Sequence, residues 1–508
     1  MKDSYYITTP IYYANDVLHI GHTYTTVAAD IITRWKKNSV NNVFFLTGSD
    51  EHGSKICEAA KEKNKEPLAY CNEIVDSFKN TWQQLNIEYT SFIRTTDTVH
   101  ILTVEKFIQA LYDNGDIYKS NYEGLYCVPC EKFLSPTELV NDLCPDHNTK
   151  PVKQCEENYF FRLSKYRDQL IELITNKNHL QHFDILPEQR RNEVLGKLKL
   201  GLDDISISRT NLPWAIPLPF DKSQTIYVWI DALLNYISAI GYADDSEKTQ
   251  FKKFWPADVH LLAKDILWFH SVIWPAMLLA LKLPLPAKVF SHGFFTVEGQ
   301  KMSKTIGNVL HAEDLVKIYG VDATRFLLLT AFPFGSDGDI SLALFKEKYN
   351  AHLANNIGNF VSRVTNMAQK YFNGKVTIPE NWPDPEITEI LKILEPADTH
   401  ISNVRVDSFI EIMISLSSWG NLYIDKNAPW QLAKTDMKAL EKVLYNALII
   451  IKYIAVLSSA VMPESAVKIW KTIDEKQDIQ ECARNLAKLS PLTGSNVNKP
   501  EILFPKIL

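Results

Sequence analysis

Apolar positions recur first with a strand-like and then with a helix-like period inside the first fifty residues. Residues 4–8 read as a strand, and residues 23–37 as a helix with Val27, Ile31 and Trp35 on one face. Residues 43–47 form a second, fully apolar strand. Strand, helix and strand with short connections predict a parallel, right-handed crossover unit. Open sheets of this kind bind ligands beyond the carboxyl ends of their strands, where His19-Ile20-Gly21-His22 and Asp50-Glu51-His52-Gly53 fall. The pattern turns irregular over 115–217, which reads as an insertion. Alternation resumes at 225–229, 259–262 and 288–292, three more buried strands by composition. After Asp339 strand signals nearly vanish. Helical periodicity then runs to Leu489, with Pro383, Pro396 and Pro463 marking breaks.

Length sets the scale: 508 residues imply about two to four domains. A hydrophobic content of 46% and a charged content of 22% are those of an ordinary globular protein, which excludes a disordered or fibrous chain. The net charge of −6 means that a nucleic-acid partner would be met by a local basic face. No uninterrupted apolar run reaches about 18 residues, so no membrane span is expected. Met1-Lys2-Asp3 runs straight into Tyr5-Tyr6-Ile7, which leaves no room for a signal or transit peptide. The expected location is the cytoplasm.

Two motifs carry chemistry for a nucleotide triphosphate. A helix N-terminus presents free N–H groups and the positive end of a dipole, and His19 and His22 can each donate to a phosphate oxygen while Gly21 allows close approach. Lys301-Met302-Ser303-Lys304-Thr305 supplies two ammonium groups, flanked by Gly299 and by Gly307-Asn308 as a segment able to close over a substrate. A third group concerns metal. Cys127 and Cys130, then Cys144 and His147, have the C-x2-C and C-x2-H spacing of a closed, tetrahedral, structural zinc site. Cys155 is a fallback ligand, whereas Cys57 and Cys71 read as ordinary helix residues. The aromatic blocks at 227–236 and 268–274 read, on their own, as core before pocket.

The paired motifs resemble the signatures of class I aminoacyl-tRNA synthetases, and the surrounding residues resemble the methionyl-tRNA synthetase family nearly end to end. That resemblance implies a Rossmann-like α/β catalytic domain in two halves, 1–114 and 218–295. A connective insertion with the zinc knuckle would span 115–217, the loop and stem-contact region 296–345, and an all-α anticodon-binding bundle 346–508. It implies methionine–tRNA ligation in two steps, with Mg²⁺-ATP, L-methionine and tRNA(Met), initiator and elongator, as substrates. His19 and His22 would stabilise the α-phosphate under attack, and Lys301 and Lys304 would hold the departing pyrophosphate. Thr305 stands where the family usually has serine and keeps the hydroxyl.

The same resemblance assigns a methionine pocket to Ile11, Tyr13, Trp229, Ala232, Leu233, Tyr236, Phe269, His270 and Trp274, with Asp50 receiving the amine. Some members carry proline at Leu233. Tyr236 and His270 are expected to hydrogen-bond near the thioether sulfur, a weak acceptor, so shape should dominate selectivity. Asp265, after Lys264, would bind ribose hydroxyls or brace the pocket, and Arg209 matches a position near the active site. Asn359, Arg363 and Trp430 would contact the CAU anticodon by stacking and edge hydrogen bonds. Many relatives use cysteine where His147 stands, and many carry a further C-terminal dimerising domain; its absence here predicts a monomer. Competing readings are another class I ligase, such as a cysteinyl enzyme with zinc on the substrate thiol, or a non-catalytic RNA-binding protein. The small insertion argues against the large editing enzymes, and the intact phosphate motifs against a protein that has lost its chemistry.

Overall fold

The computed structural model describes residues 3–127, 132–134, 139–145, 148–210, 212–246, 249–302, 309–494, 496–499 and 501–507. Its centre is a parallel sheet of six strands: β1 (Ser4–Tyr13), β2 (Asn42–Asp50), β3 (Ser91–Arg94), β4 (Asp184–Leu186), β5 (Val259–Ala263) and β6 (Lys288–His292). Their order across the sheet is β3-β2-β1-β5-β6-β4, every neighbour parallel. The order reverses beside β1, so the crevice between the carboxyl ends of β1 and β5 is the ligand position that the topology creates. The β1–β2 ladder shifts register between Thr8 and Ile11, where Pro10 has no N–H to donate. Beyond this bulge Tyr13 pairs with Asp50.

Helix α1 (Ile20–Lys36) crosses one face of the sheet with Val27, Ile31 and Trp35 buried as the periodicity predicts. The apolar layer on that face is continuous with the C-terminal helices: the Trp35 indole N–H donates to Asp398 at 2.7 Å and its ring lies 4.7 Å from Phe409. A buried guanidinium reinforces this seam. Arg325, on helix α2 (Val321–Thr330), donates to Asp30 of α1 at 2.6 Å and to the Leu85, Ala460 and Val461 carbonyls at 3.0, 3.0 and 2.8 Å. Two of those carbonyls end helix α4 (Met437–Val461), which packs with α3 (Val406–Asn427) in the bundle. By length and composition α4 is apolar enough to cross a membrane, although no uninterrupted run announced it. It is a core helix, with 94% of its apolar window buried.

Two expectations change. Residues 225–229 do not form a strand of the main sheet: Thr225–Ile226 pair briefly with Ser208–Arg209, and the chain is helical over Val228–Leu233. A short apolar run fits either element, and here the helix buries Val228, Ile230 and Leu233. Within 115–217 the chain is also more regular than its pattern implies. It forms a four-stranded antiparallel sheet, two helices (Arg167–Thr175 and Glu188–Leu200) and β4, which is an edge of the central sheet. Pro396 and Pro463 do stand at helix starts, and Pro383 precedes the Asp384 cap of the next one.

Candidate active site

His19 is the N-cap of α1, and the cap fixes its chemistry. The Gly21 backbone N–H donates to His19 Nδ1 at 3.0 Å, and the His19 backbone N–H donates to His22 Nδ1 at 3.2 Å. Each Nδ1 is thus an acceptor, and each imidazole carries its proton on Nε2. The rings stack at 3.8 Å. Burial lowers the pKa of His19, with His311 adding to it; burial and then His19 hold His22 well below its usual range. Two neutral rings therefore offer two Nε2–H donors at the positive end of a helix. Gly21 is required locally, because a Cβ there would lie 2.8 Å from His19 Cε1.

The segment after the second motif is tied to this cap. The Ile20 N–H donates to the Leu310 carbonyl at 3.1 Å, and His311 Nδ1 to the Leu18 carbonyl at 3.0 Å. Upstream, Phe295–Val297 pairs with Gly338–Ile340 and with Gln300–Lys301, where Lys301 opposes Thr296. Lys304 and Thr305 lie outside the described residues, as does the Lys301 side chain; Leu310 and His311, beyond the motif, are what meet the cap.

At the end of β2 three adjacent acidic or basic side chains meet three different fates. Glu51 is buried and receives Arg94 Nε and Nη2 at 2.7 and 2.8 Å. His52 Nδ1 donates to Asp231 at 2.6 Å. Asp50 keeps a buried Oδ1 with no hydrogen-bond partner. Burial and the neighbouring Asp231 carboxylate push the Asp50 carboxyl well above its ordinary range, which His52 partly offsets. An unpaired, desolvated carboxylate oxygen is a receptor for a cation.

The aromatic residues gather beside it. Trp229 and Phe269 stack at 4.7 Å, and Phe269 opens a π-helical turn, Phe269–Ile273, of the kind often found at functional sites. Trp274 is fully buried and its N–H donates to His260 at 3.3 Å; Leu233, Tyr236 and His270 are buried, while Ile11, Tyr13, Trp229, Ala232 and Phe269 stay partly accessible. One expectation about the thioether changes. His270 Nδ1 donates to the Ile266 carbonyl at 2.9 Å, so its Nε2 accepts from the Tyr236 hydroxyl at 2.6 Å. Both protons are spent within the protein, and burial holds His270 down at about 4. The wall near the side chain is therefore shape and ring surface, with no free polar hydrogen from this pair.

Other candidates have settled positions. Lys264 donates to both oxygens of Asp337 at 2.7 and 2.8 Å, and Asp265 follows it on the surface. Arg209 lies 4.0 Å over the Tyr227 ring, one residue before the helix that carries Trp229. In the bundle, Asn359 is exposed at the start of Asn359–Phe372, Arg363 donates to Asp425 on α3 at 2.7 Å, and Trp430 is 44% exposed just past the end of α3. Cys127 and Cys144 are buried in one small cluster with Leu134, unoxidised. Cys130 and His147 lie outside the described residues, and the Cys155 side chain is likewise not described. Asp231, His100, Glu51, Arg94 and His311 were not anticipated; Asp231 lies within the 227–236 block and Glu51 beside Asp50, but nothing local marked either.

The parallel sheet and the histidine-capped helix at its carboxyl edge are those of a class I aminoacyl-tRNA synthetase. A family model described as tRNA synthetases class I (M) matches residues 5–150 and 130–365, and one described as the anticodon binding domain of methionyl tRNA ligase matches 378–508. The chain is 46% identical to a methionine–tRNA ligase of Clostridium perfringens, covering 100% of this chain and 78% of that one. It is 40% identical to one of Rickettsia felis, covering 100% and 99%. A Mycobacterium tuberculosis methionyl-tRNA synthetase solved with methionyl-adenylate superposes with a TM-score of 0.92 at 36% identity, covering 99% of this chain and 100% of that chain. The chain belongs to the methionyl-tRNA synthetase family.

Proposed function

We propose that the protein activates L-methionine with Mg²⁺-ATP and transfers it to the 3′ end of tRNA(Met), both initiator and elongator. The methionine carboxylate attacks the α-phosphorus, the bond to the bridging oxygen breaks, and pyrophosphate leaves. A terminal ribose hydroxyl of the tRNA then attacks the activated carbonyl and AMP leaves. Asp50 holds the ammonium, and the Trp229–Phe269 stack with Ile11, Tyr13, Ala232, Leu233, Tyr236, His270 and Trp274 surrounds the side chain. The Nε2–H groups of His19 and His22 stabilise charge building on the α-phosphate, while Lys301 and Lys304 neutralise the departing pyrophosphate. Magnesium, when bound with ATP, screens the phosphate charge. Asp265 is assigned to the ribose. Asn359, Arg363 and Trp430 read the anticodon, and Cys127, Cys130, Cys144 and His147 hold a structural zinc; two buried thiols in one cluster fit that group. The protein acts in the cytoplasm.

The observation that carries this reading is the buried, unpartnered Asp50 oxygen beside an aromatic wall, a polarity suited to an ammonium with an uncharged side chain. ATP–pyrophosphate exchange tested across the standard amino acids is the decisive assay. Exchange dependent on methionine is expected, and exchange with cysteine but not methionine would overturn the assignment.

A further inference from the structure

Asp231 shares the short helix Val228–Leu233 with Trp229, Ala232 and Leu233. Its carboxylate accepts from His52 Nδ1 at 2.6 Å and from His100 Nε2 at 2.7 Å, all three side chains being buried. His52 stands two residues after Asp50, and its charge lowers the Asp50 carboxyl. His100 belongs to helix Thr98–Asp113, and its Nδ1 meets Ser238 Oγ at 3.0 Å. One buried carboxylate thus joins the end of β2, the helix bearing Trp229 and a third helix behind both.

Charge pairing around it is selective. Three carboxylates lie together: Asp50, Glu51 and Asp231. Glu51 is neutralised by Arg94, and Asp231 is satisfied by two imidazoles. Only Asp50 among the three retains a buried oxygen without a partner. Burying ionisable groups is an expensive way to fill space, and here it leaves one defined acceptor for an incoming cation.

We propose that Asp231 is a positioning residue for the substrate's ammonium: it ties the wall that holds Asp50 to the wall that holds Trp229, and keeps Asp50 as the acceptor. This rests on the reading of Asp50 as the ammonium site. The role is geometric: the Asp231 charge itself raises the Asp50 carboxyl, more than His52 lowers it, so the gain lies in how the tie places the two walls. Burial alone would lower the His52 pKa, and Asp231, with Asp50 and Glu51, raises it instead; burial would raise the Asp231 carboxyl, and the two imidazoles hold it at about 2.

The test uses the full-length protein with Asp231→Asn. In ATP–pyrophosphate exchange the KM for methionine should rise about tenfold, the loss of one charge-organised contact, with kcat and the KM for ATP within about twofold. Two inhibitors separate positioning from general damage. 3-(Methylsulfanyl)propan-1-amine keeps the ammonium and should bind about tenfold more weakly; 4-(methylsulfanyl)butanoate lacks it and should bind as to the parent. Equal weakening of both, or of neither, overturns the proposal. If Asp231→Asn does not fold, His100→Gln should show the same selectivity at smaller amplitude, and its absence there overturns the proposal equally. A parent enzyme without methionine-dependent exchange would overturn the preceding reading instead.

Discussion

Replacing Gly21 with alanine should separate catalysis from folding at the helix cap. An added Cβ would lie 2.8 Å from His19 Cε1 and 3.0 Å from Nδ1, closer than real contacts of this kind, so the ring must turn away. Turning it breaks the 3.0 Å acceptance from the Gly21 N–H and the 3.8 Å stack on His22. A lost N-cap costs about 1 kcal/mol, while alanine in place of glycine in a helical turn returns about the same. Net stability should therefore barely move. The Nε2–H of His19, however, leaves the position from which it meets charge developing on the phosphate. Removing one preorganised donor of this type costs about 100-fold in kcat, or about 2.7 kcal/mol. Exchange kinetics should show that loss with the KM for methionine within about twofold, and urea unfolding should give an unchanged midpoint. A kcat within about threefold of the parent would refute the cap argument.

Arg325→Met should be among the most damaging single changes outside the site, since it takes the buried donor from the Leu85, Ala460 and Val461 carbonyls at about 1–3 kcal/mol each, while Asp30 keeps Arg34 at 2.8 Å; the thermal inactivation half-life should shorten, and an unchanged one would refute this. Stability should fall on acidification. Burial holds His270 and His292 each at about 4 against an ordinary 6.5, so the folded state binds fewer protons between those values. Their contribution is complete above 6.5 and is lost as pH drops toward 4, by about 1.4 kcal/mol per pH unit for each, and denaturation midpoints that stay level across this window would contradict it. Trp430→Ala should reduce aminoacylation of tRNA about tenfold or more while leaving methionine-dependent exchange within about twofold, the stacking contribution of one base; equal loss of both would point to a folding defect. Elemental analysis of the purified protein should find about one zinc per chain, lost in a Cys127→Ser, Cys144→Ser double variant, and none in the parent would dismiss the knuckle.

The sequence announced α1 well, because Val27, Ile31 and Trp35 repeat at helical spacing and all three are buried. It misled at 225–229, where a short apolar run fits strand and helix alike, and the outcome was decided by packing around Val228 and Leu233. The helix cap was legible because its residues are adjacent in the chain. Its protonation was not: the tautomers follow from backbone N–H groups aimed at Nδ1, a matter of cap geometry. Asp231 shows the limit most clearly. Its two partners lie 179 and 131 residues away, and no local spacing relates them. The expected contact of Tyr236 and His270 with sulfur failed for a similar reason, since the competing acceptor is the Ile266 carbonyl.

Because β4 comes from inside the insertion, that insertion is not a detachable module. Its three residues pair with Lys288–His292 and cap the outer edge of the central sheet. Excising 115–217 and resealing the chain would leave β6 with an open row of peptide groups, an invitation to edge-to-edge association between copies. A minimal catalytic core engineered from this chain must keep Asp184–Leu186 or replace it with another strand. The same dependence gives a folding order: the edge can close only after the insertion has been threaded back to the sheet, so the segment around β4 belongs among the later-forming contacts.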